Sequence, residues 1–130
     1  MLRCLFYTSL LASGESPATV TDIVRAARYK NRLQGVTGVL VFDGLALAQY
    51  LEGPPGVLAE LRELLSRDRR HSGFHVRLDI EFAGPRFFPG WSLAFGICTD
   101  PEAFQRFEGR EGNAAFDLFR SMLPEFDVEA

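Results

Sequence analysis

Two strand-like runs, residues 36–42 and 45–52, are separated by nothing but Asp43-Gly44. Asp-Gly between such runs is among the strongest short-range signals for an antiparallel hairpin, because the tight turn needs positive φ and glycine takes it without steric penalty. The first run is apolar on both faces, the pattern of an inner strand in a covered sheet. In the second run, side chains two apart share a face, which puts Gln49 with Leu45, Leu47 and Leu51. A buried carboxamide without a partner costs about 1–3 kcal/mol. Something polar must therefore meet Gln49 inside the fold, and a bound ligand with a heteroatom edge is one candidate.

The flanking segments complete an order of elements. Residues 2–8 form a short apolar run that reads as a first strand. Ser16-Pro17 then has the form of a helix start, with serine as cap and proline at the first helical position. This helix is predicted to reach about Arg32, with Val20, Ile23, Val24 and Ala27 as its apolar stripe. Gly53-Pro54-Pro55 ends the hairpin and opens a second helix over 55–67, with Val57, Leu58, Leu61, Leu64 and Leu65 on one face. Residues 74–82 and 91–97 read as a fourth and a fifth, shorter strand. The order β-α-β-β-α-β plus a last strand predicts an α+β fold, a ferredoxin-like sandwich with both helices on one face of an antiparallel sheet. In the tail, Phe104 and Phe107, then Phe116, Phe119 and Leu123, recur at helical spacing. The division expected is a folded unit over 1–98 and a helical extension over 99–130, packing on the other sheet face or on a partner.

Composition excludes several classes of function. A chain of 130 residues with 47% hydrophobic content can bury a real core. Fourteen basic against seventeen acidic residues, net −3, argues against general nucleic-acid binding. Cys4 and Cys98 have no metal-like spacing, and His71 and His75 are separated by Gly73, which breaks the helix they need to share a face. No metal is expected. With no signal peptide and no bilayer-length apolar run, a cytoplasmic protein without membrane contact is expected. The phenylalanine-rich tail suggests a homo-oligomer.

Polar residues continue both helix stripes. Asn31 lies four beyond Ala27, and Asp68 four beyond Leu64. Together with Gln49 they point at, or next to, the space between two helices and a sheet. Taken singly, Asn31 reads more simply as a helix C-terminal residue near Gly35, and Asp68 as one half of a surface ion pair with Arg69 or Arg70. Tyr7 ends the first strand, a core aromatic with its hydroxyl at the rim.

Five segments, in order and spacing, carry a resemblance over residues 2–97. They are Leu5-Phe-Tyr-Thr-Ser9, Asn31-Arg-Leu-Gln-Gly-Val-Thr-Gly38, Gln49-Tyr-Leu-Glu-Gly53, Asp68-Arg-Arg-His71 and Pro89-Gly-Trp-Ser-Leu93. The chain resembles the BLUF domain, the blue-light sensor that uses flavin. The resemblance implies a noncovalently bound FAD, with FMN or riboflavin able to substitute. It implies that light drives electron and proton transfer from Tyr7 to the flavin and leaves the Gln49 hydrogen bonds rearranged. Asn31 is implied to bond the polar edge of the ring, and Ile23, Ala27 and Leu65 to wall it. Asp68, Arg70 and His71 are implied near the flavin side chain or the helix-end loop. Trp91 and Leu93 are implied on the strand that signals to an unidentified downstream protein. No net reaction is catalysed, and a receptor without a fused output domain is expected.

Two positions depart from the family pattern. Lys30 stands where relatives often carry histidine or asparagine, and Leu93 replaces the usual methionine, so no sulfur is available there as an acceptor. A rival reading is a small ferredoxin-like hydrolase of the acylphosphatase kind. It needs an anion-binding arginine after the first strand, and Ser9-Leu-Leu-Ala-Ser-Gly14 has none. A flavin-free interaction module is the third reading.

Overall fold

The computed structural model describes residues Met1–Ala130. The chain runs β1 (Leu2–Leu11), α1 (Pro17–Gln34), β2 (Thr37–Phe42), β3 (Ala46–Gly53), α2 (Pro55–Arg67), β4 (His71–Phe82), β5 (Ala94–Ile97), a 3-10 turn (Ala103–Phe107), α3 (Gly112–Met122), a second 3-10 turn (Leu123–Glu125) and β6 (Asp127–Glu129). The strands make one sheet in the order β4-β1-β3-β2-β5-β6. β1 is antiparallel to β3 and β4, β2 antiparallel to β3, and β5 parallel to β2. The first four strands thus have the ferredoxin-like order, and the parallel β5 is the additional strand.

The hairpin forms with the turn displaced by one residue from the sequence reading. Gly44 takes φ +100°, and Asp43 N–H donates to Ala46 O at 3.1 Å. Gly44 and Leu45 are therefore the central pair. Asp43 Oδ1 fixes the turn by accepting from the Leu45 and Ala46 amides at 2.8 and 2.6 Å. Leu45 lies in this turn, exposed, and does not share the buried face of Gln49 as predicted. Leu47 and Leu51 do.

Other boundaries also moved. Ser16 occupies the cap position of α1, but its hydroxyl makes no cap bond; Pro17 takes the first turn as expected. β1 continues to Leu11 and β4 begins at His71, because those two stretches pair with each other. β5 begins at Ala94, so Trp91 and Leu93 lie in the segment entering it rather than on the strand. The first tail helix is only a 3-10 turn, and β6 had no counterpart in the sequence reading. It fits beside β5 because Gly96 has no side chain: a Cβ there would meet Val128 at 2.7 Å. No helix is long and apolar enough to cross a membrane.

The sheet has two unequal cores. On one face Cys4, Phe6, Val39, Val41, Ala48 and Tyr50 pack against Phe107, Phe116, Phe119 and Met122 from the tail. Tyr50 stacks on Phe116 with ring centroids 4.2 Å apart. On the other face Leu5, Tyr7, Leu40, Leu47 and Leu51 meet α1 and α2. That layer is looser. α2 buries only Leu58 completely, and Ile23, Ala27, Leu61 and Leu65 are half-buried.

One ion-pair cluster ties β1, α2 and β4. Asp79 accepts from Arg3 at 2.7 Å and from Arg62 at 2.5 Å. The Arg3 contact, helped by Arg62 and opposed by burial, holds the Asp79 carboxyl below its ordinary value. A carboxylate with a depressed folded-state pKa stabilises the fold above its unfolded value near pH 4, and that stability is lost as pH falls through the folded value. Asp79→Asn is therefore expected to lower the urea midpoint at pH 7. The gap to the unsubstituted protein should close in strong acid, and denaturation curves across pH 2–7 check it.

Candidate functional site

Tyr7 and Gln49 are direct partners across the β1–β3 pair, on the face turned to α1 and α2. Both are almost wholly buried, 3% and 4% exposed. The Tyr7 hydroxyl donates to Gln49 Oε1. This is the polar partner that a carboxamide among leucines requires. Gln49 Nε2 makes no hydrogen bond within the chain, yet no fully buried polar atom is left unpartnered. That nitrogen therefore keeps a little accessible surface and is a free donor.

Burial pushes the Tyr7 phenol well above its ordinary pKa, and the negative charge of Asp68 adds to it. The phenol keeps its proton at ordinary pH and is the donor to Gln49. Phe74 and His71 pack on its ring, with centroids 4.9 and 6.0 Å away. His71 is fixed at both nitrogens, with Nε2 2.7 Å from Leu65 O and Nδ1 2.9 Å from Ser9 Oγ. A carbonyl only accepts, so Nε2 carries a proton; in the neutral ring Nδ1 accepts from Ser9. The ring thereby links the end of α2 to β1 beside Tyr7. Ser9, two residues beyond Tyr7 on the same face, is buried. That spacing was its signal in the sequence.

Asp68 is paired with Arg70, as one of its two readings proposed. Arg70 Nη2 and Nε lie 2.6 and 2.9 Å from the carboxylate, whose pKa they hold down. Asn31 has both of its proposed features. Its backbone carbonyl accepts the Gly35 and Val36 amides at the helix end, and its side chain is buried. Its Nδ2 donates to Ser92 O at 2.6 Å. Arg28, which carries no distinguishing signal in the sequence, donates to Leu93 O at 2.8 Å. α1 thus grips the segment that enters β5. Leu93 belongs to the core around Tyr7, whereas Trp91 stacks on Phe88 and packs against the opposite, tail-side core. Residues two apart therefore sit in opposite cores at the sheet edge.

Tyr7, Ile23, Leu65, Asp68, Arg70 and His71 come together around one cleft between α1 and α2, with Val20, Leu40 and Leu47 as further walls. Gln49 lies behind Tyr7, and Ala27 and Asn31 stand off the cleft. Its volume is about 20 Å³, against roughly 300 Å³ or more for a small-molecule pocket. A planar three-ring ligand enters only if the helix side chains part. The wall residues Ile23 and Leu65 are half-buried, so moving them apart sacrifices little packing. The chemistry of the walls fits a flavin: aliphatic faces for the ring, and for a polar edge Tyr7, whose hydroxyl leads to the Gln49 amide outside the lining.

A ferredoxin-like sheet with a buried, hydrogen-bonded tyrosine–glutamine pair beneath two loosely packed helices defines a chromophore-binding sensor domain. The chain belongs to the BLUF family, sensors of blue light using FAD, whose model matches residues 2–94. It is 32% identical over 88 residues to the blue light- and temperature-regulated antirepressor BluF of Escherichia coli (strain K12), over 68% of this chain and 22% of the relative. The chain thus spans about a fifth of the length of that protein. The dark-state structure of BlrB, a BLUF protein, superposes with TM-score 0.70 at 31% identity, covering 83% of this chain and 82% of BlrB. The BlsA ground state superposes with TM-score 0.78 at 26% identity, covering 95% and 87%. Membership in a family of flavin-using blue-light sensors favours that reading over the hydrolase and flavin-free ones.

Proposed function

We propose that Tyr7 and Gln49 form the photochemical switch of this sensor, and that its flavin is FAD. The observation that carries this is the buried Tyr7–Gln49 hydrogen bond with the amide nitrogen left free. Flavin, when bound, supplies blue-light absorption and an electron acceptor. With flavin bound, Tyr7 would be the group that passes an electron and its phenolic proton to the ring, and it would recover both when the charge returns. While its proton is gone, the phenol no longer holds Gln49 Oε1, and the carboxamide can present either end. A neutral hydrogen bond contributes only about 1 kcal/mol net, so two amide arrangements are nearly balanced and a small trigger moves the population. Ile23 and Leu65, which line the cleft, wall the ring, and Ala27 joins them only once the helices part. Asn31 stands off the cleft and reaches the ring edge through its Oδ1 or second Nδ2 proton only on the same opening. Arg70 and His71, with Asp68, meet the flavin side chain. The segment of Trp91 and Leu93 passes the change to a downstream protein.

One spectrum tests the core of this reading. Purified protein is expected to be yellow, and blue light is expected to shift its absorption to the red, reversibly in the dark. Colourless protein that takes up no added flavin overturns it. Acid extraction and chromatography of the released flavin separate FAD from FMN and riboflavin.

A further inference from the structure

Glu52 follows Gln49 on β3 by three residues and points to the opposite core, where it is fully buried. A buried carboxylate needs donors, and Glu52 has four. Thr37 Oγ1 donates to Oε2 at 3.0 Å and Tyr50 OH to Oε1 at 3.1 Å. The Phe87 and Phe88 amides donate at 2.9 and 2.8 Å, one to each oxygen. Arg86 closes the arrangement from outside, reaching Thr37 Oγ1 at 3.0 Å, Glu52 O at 3.2 Å and Gly35 O at 2.7 Å. A chain segment without strand or helix, residues 83–93, is thereby fastened to β2 and β3 through one side chain. Phe88, whose amide is held, carries Trp91 on its ring with centroids 5.7 Å apart.

We infer that Glu52 is a positioning residue for light-signal transmission. Its carboxylate holds the 86–93 segment, and with it Trp91, in register with the strand that carries Gln49. The inference rests on the reading of Gln49 as the switch. Two facts give it direction. Gln49 and Glu52 share a short rigid strand, so a change at one is mechanically close to the other. Within the 86–93 segment the carboxylate engages backbone amides rather than side chains, so it sets where the segment runs rather than what it contacts. Glutamine at this position has one acceptor and one donor end, and its NH₂ would face an amide N–H.

The experiment uses flavin-loaded protein and two readouts. In the dark, hydrogen exchange of the 86–92 backbone is expected to rise about tenfold in Glu52→Gln, the effect of losing roughly one buried hydrogen bond. Under blue light, the red shift should remain while the light-minus-dark change in emission of Trp91, the only tryptophan, is lost. A purely structural role would not separate these two signals. Thr37→Val removes one donor from outside the carboxylate and should give a weaker version of the same phenotype, which Thr37→Ser restores. This pair decides the matter should Glu52→Gln load flavin poorly. Wild-type exchange and a wild-type Trp91 response in the variants overturn the inference. So does a Trp91 emission that ignores light in the unsubstituted protein. Neither result touches the flavin reading, which fails only by absence of the red shift.

Discussion

Gln49→Leu is expected to bind flavin and to show no red shift at all. Leucine keeps nearly the volume and apolar character of a site already shared with Leu47 and Leu51, so the fold and the cleft walls survive. What disappears is the only acceptor of the Tyr7 hydroxyl, Oε1, together with the free donor on the same amide. Light absorption belongs to the flavin and is retained. The lasting spectral change needs a group that can exchange acceptor for donor, and an aliphatic side chain has neither. The phenol is left buried without a partner, an expected loss of about 1–3 kcal/mol in stability. Difference spectra before and after illumination check the first effect and urea unfolding the second. A normal red shift in Gln49→Leu removes Gln49 from the switch.

The residues of this proposed switch are legible because period-two alternation is a strict rule. Once residues 45–52 are a strand, Gln49 can only face the leucines two positions away. Leu45 fails that rule because it became a turn residue, a choice made by Asp43 Oδ1 capturing two amides and not by hydrophobicity. The local pattern places the fourth strand at 74–82, past Gly73; long-range pairing of β4 with the end of β1 brings His71 into it. β6 is three residues long and mostly acidic, and nothing local marks it as a strand. Its position depends on β5 and Gly96. Glu52 lies at the end of the same predicted strand. Its signal was present, since two positions from Tyr50 on a buried strand is a buried position, and a buried acid needs donors. What no periodicity could supply was their source, the backbone amides of residues 87 and 88.

The asymmetry between the two cores leads to the largest stability effect. Phe119→Ala is expected to destabilise the protein by roughly 3–5 kcal/mol, a substantial part of the total for a domain of this size. Phe119 is fully buried, with its ring 4.8 Å from Phe6 and 6.4 Å from Phe107. Removing it opens a cavity among groups pinned from several directions, which cannot collapse to refill it. Ile23→Ala should cost far less, about 1 kcal/mol, because Ile23 is half-buried on a helix that must already yield for a ligand. The comparison matters for mechanism. Phe6, in the tail-side core, is the chain neighbour of Tyr7, in the cleft-side core. A rigid α3 face therefore backs the strand that carries the tyrosine, while the opposite face stays deformable around the flavin. Urea midpoints of flavin-free protein measure both variants in one experiment. Equal losses in the two, or a loss below about 1 kcal/mol in Phe119→Ala, would mean that α3 is not part of the fold that holds Tyr7 in place.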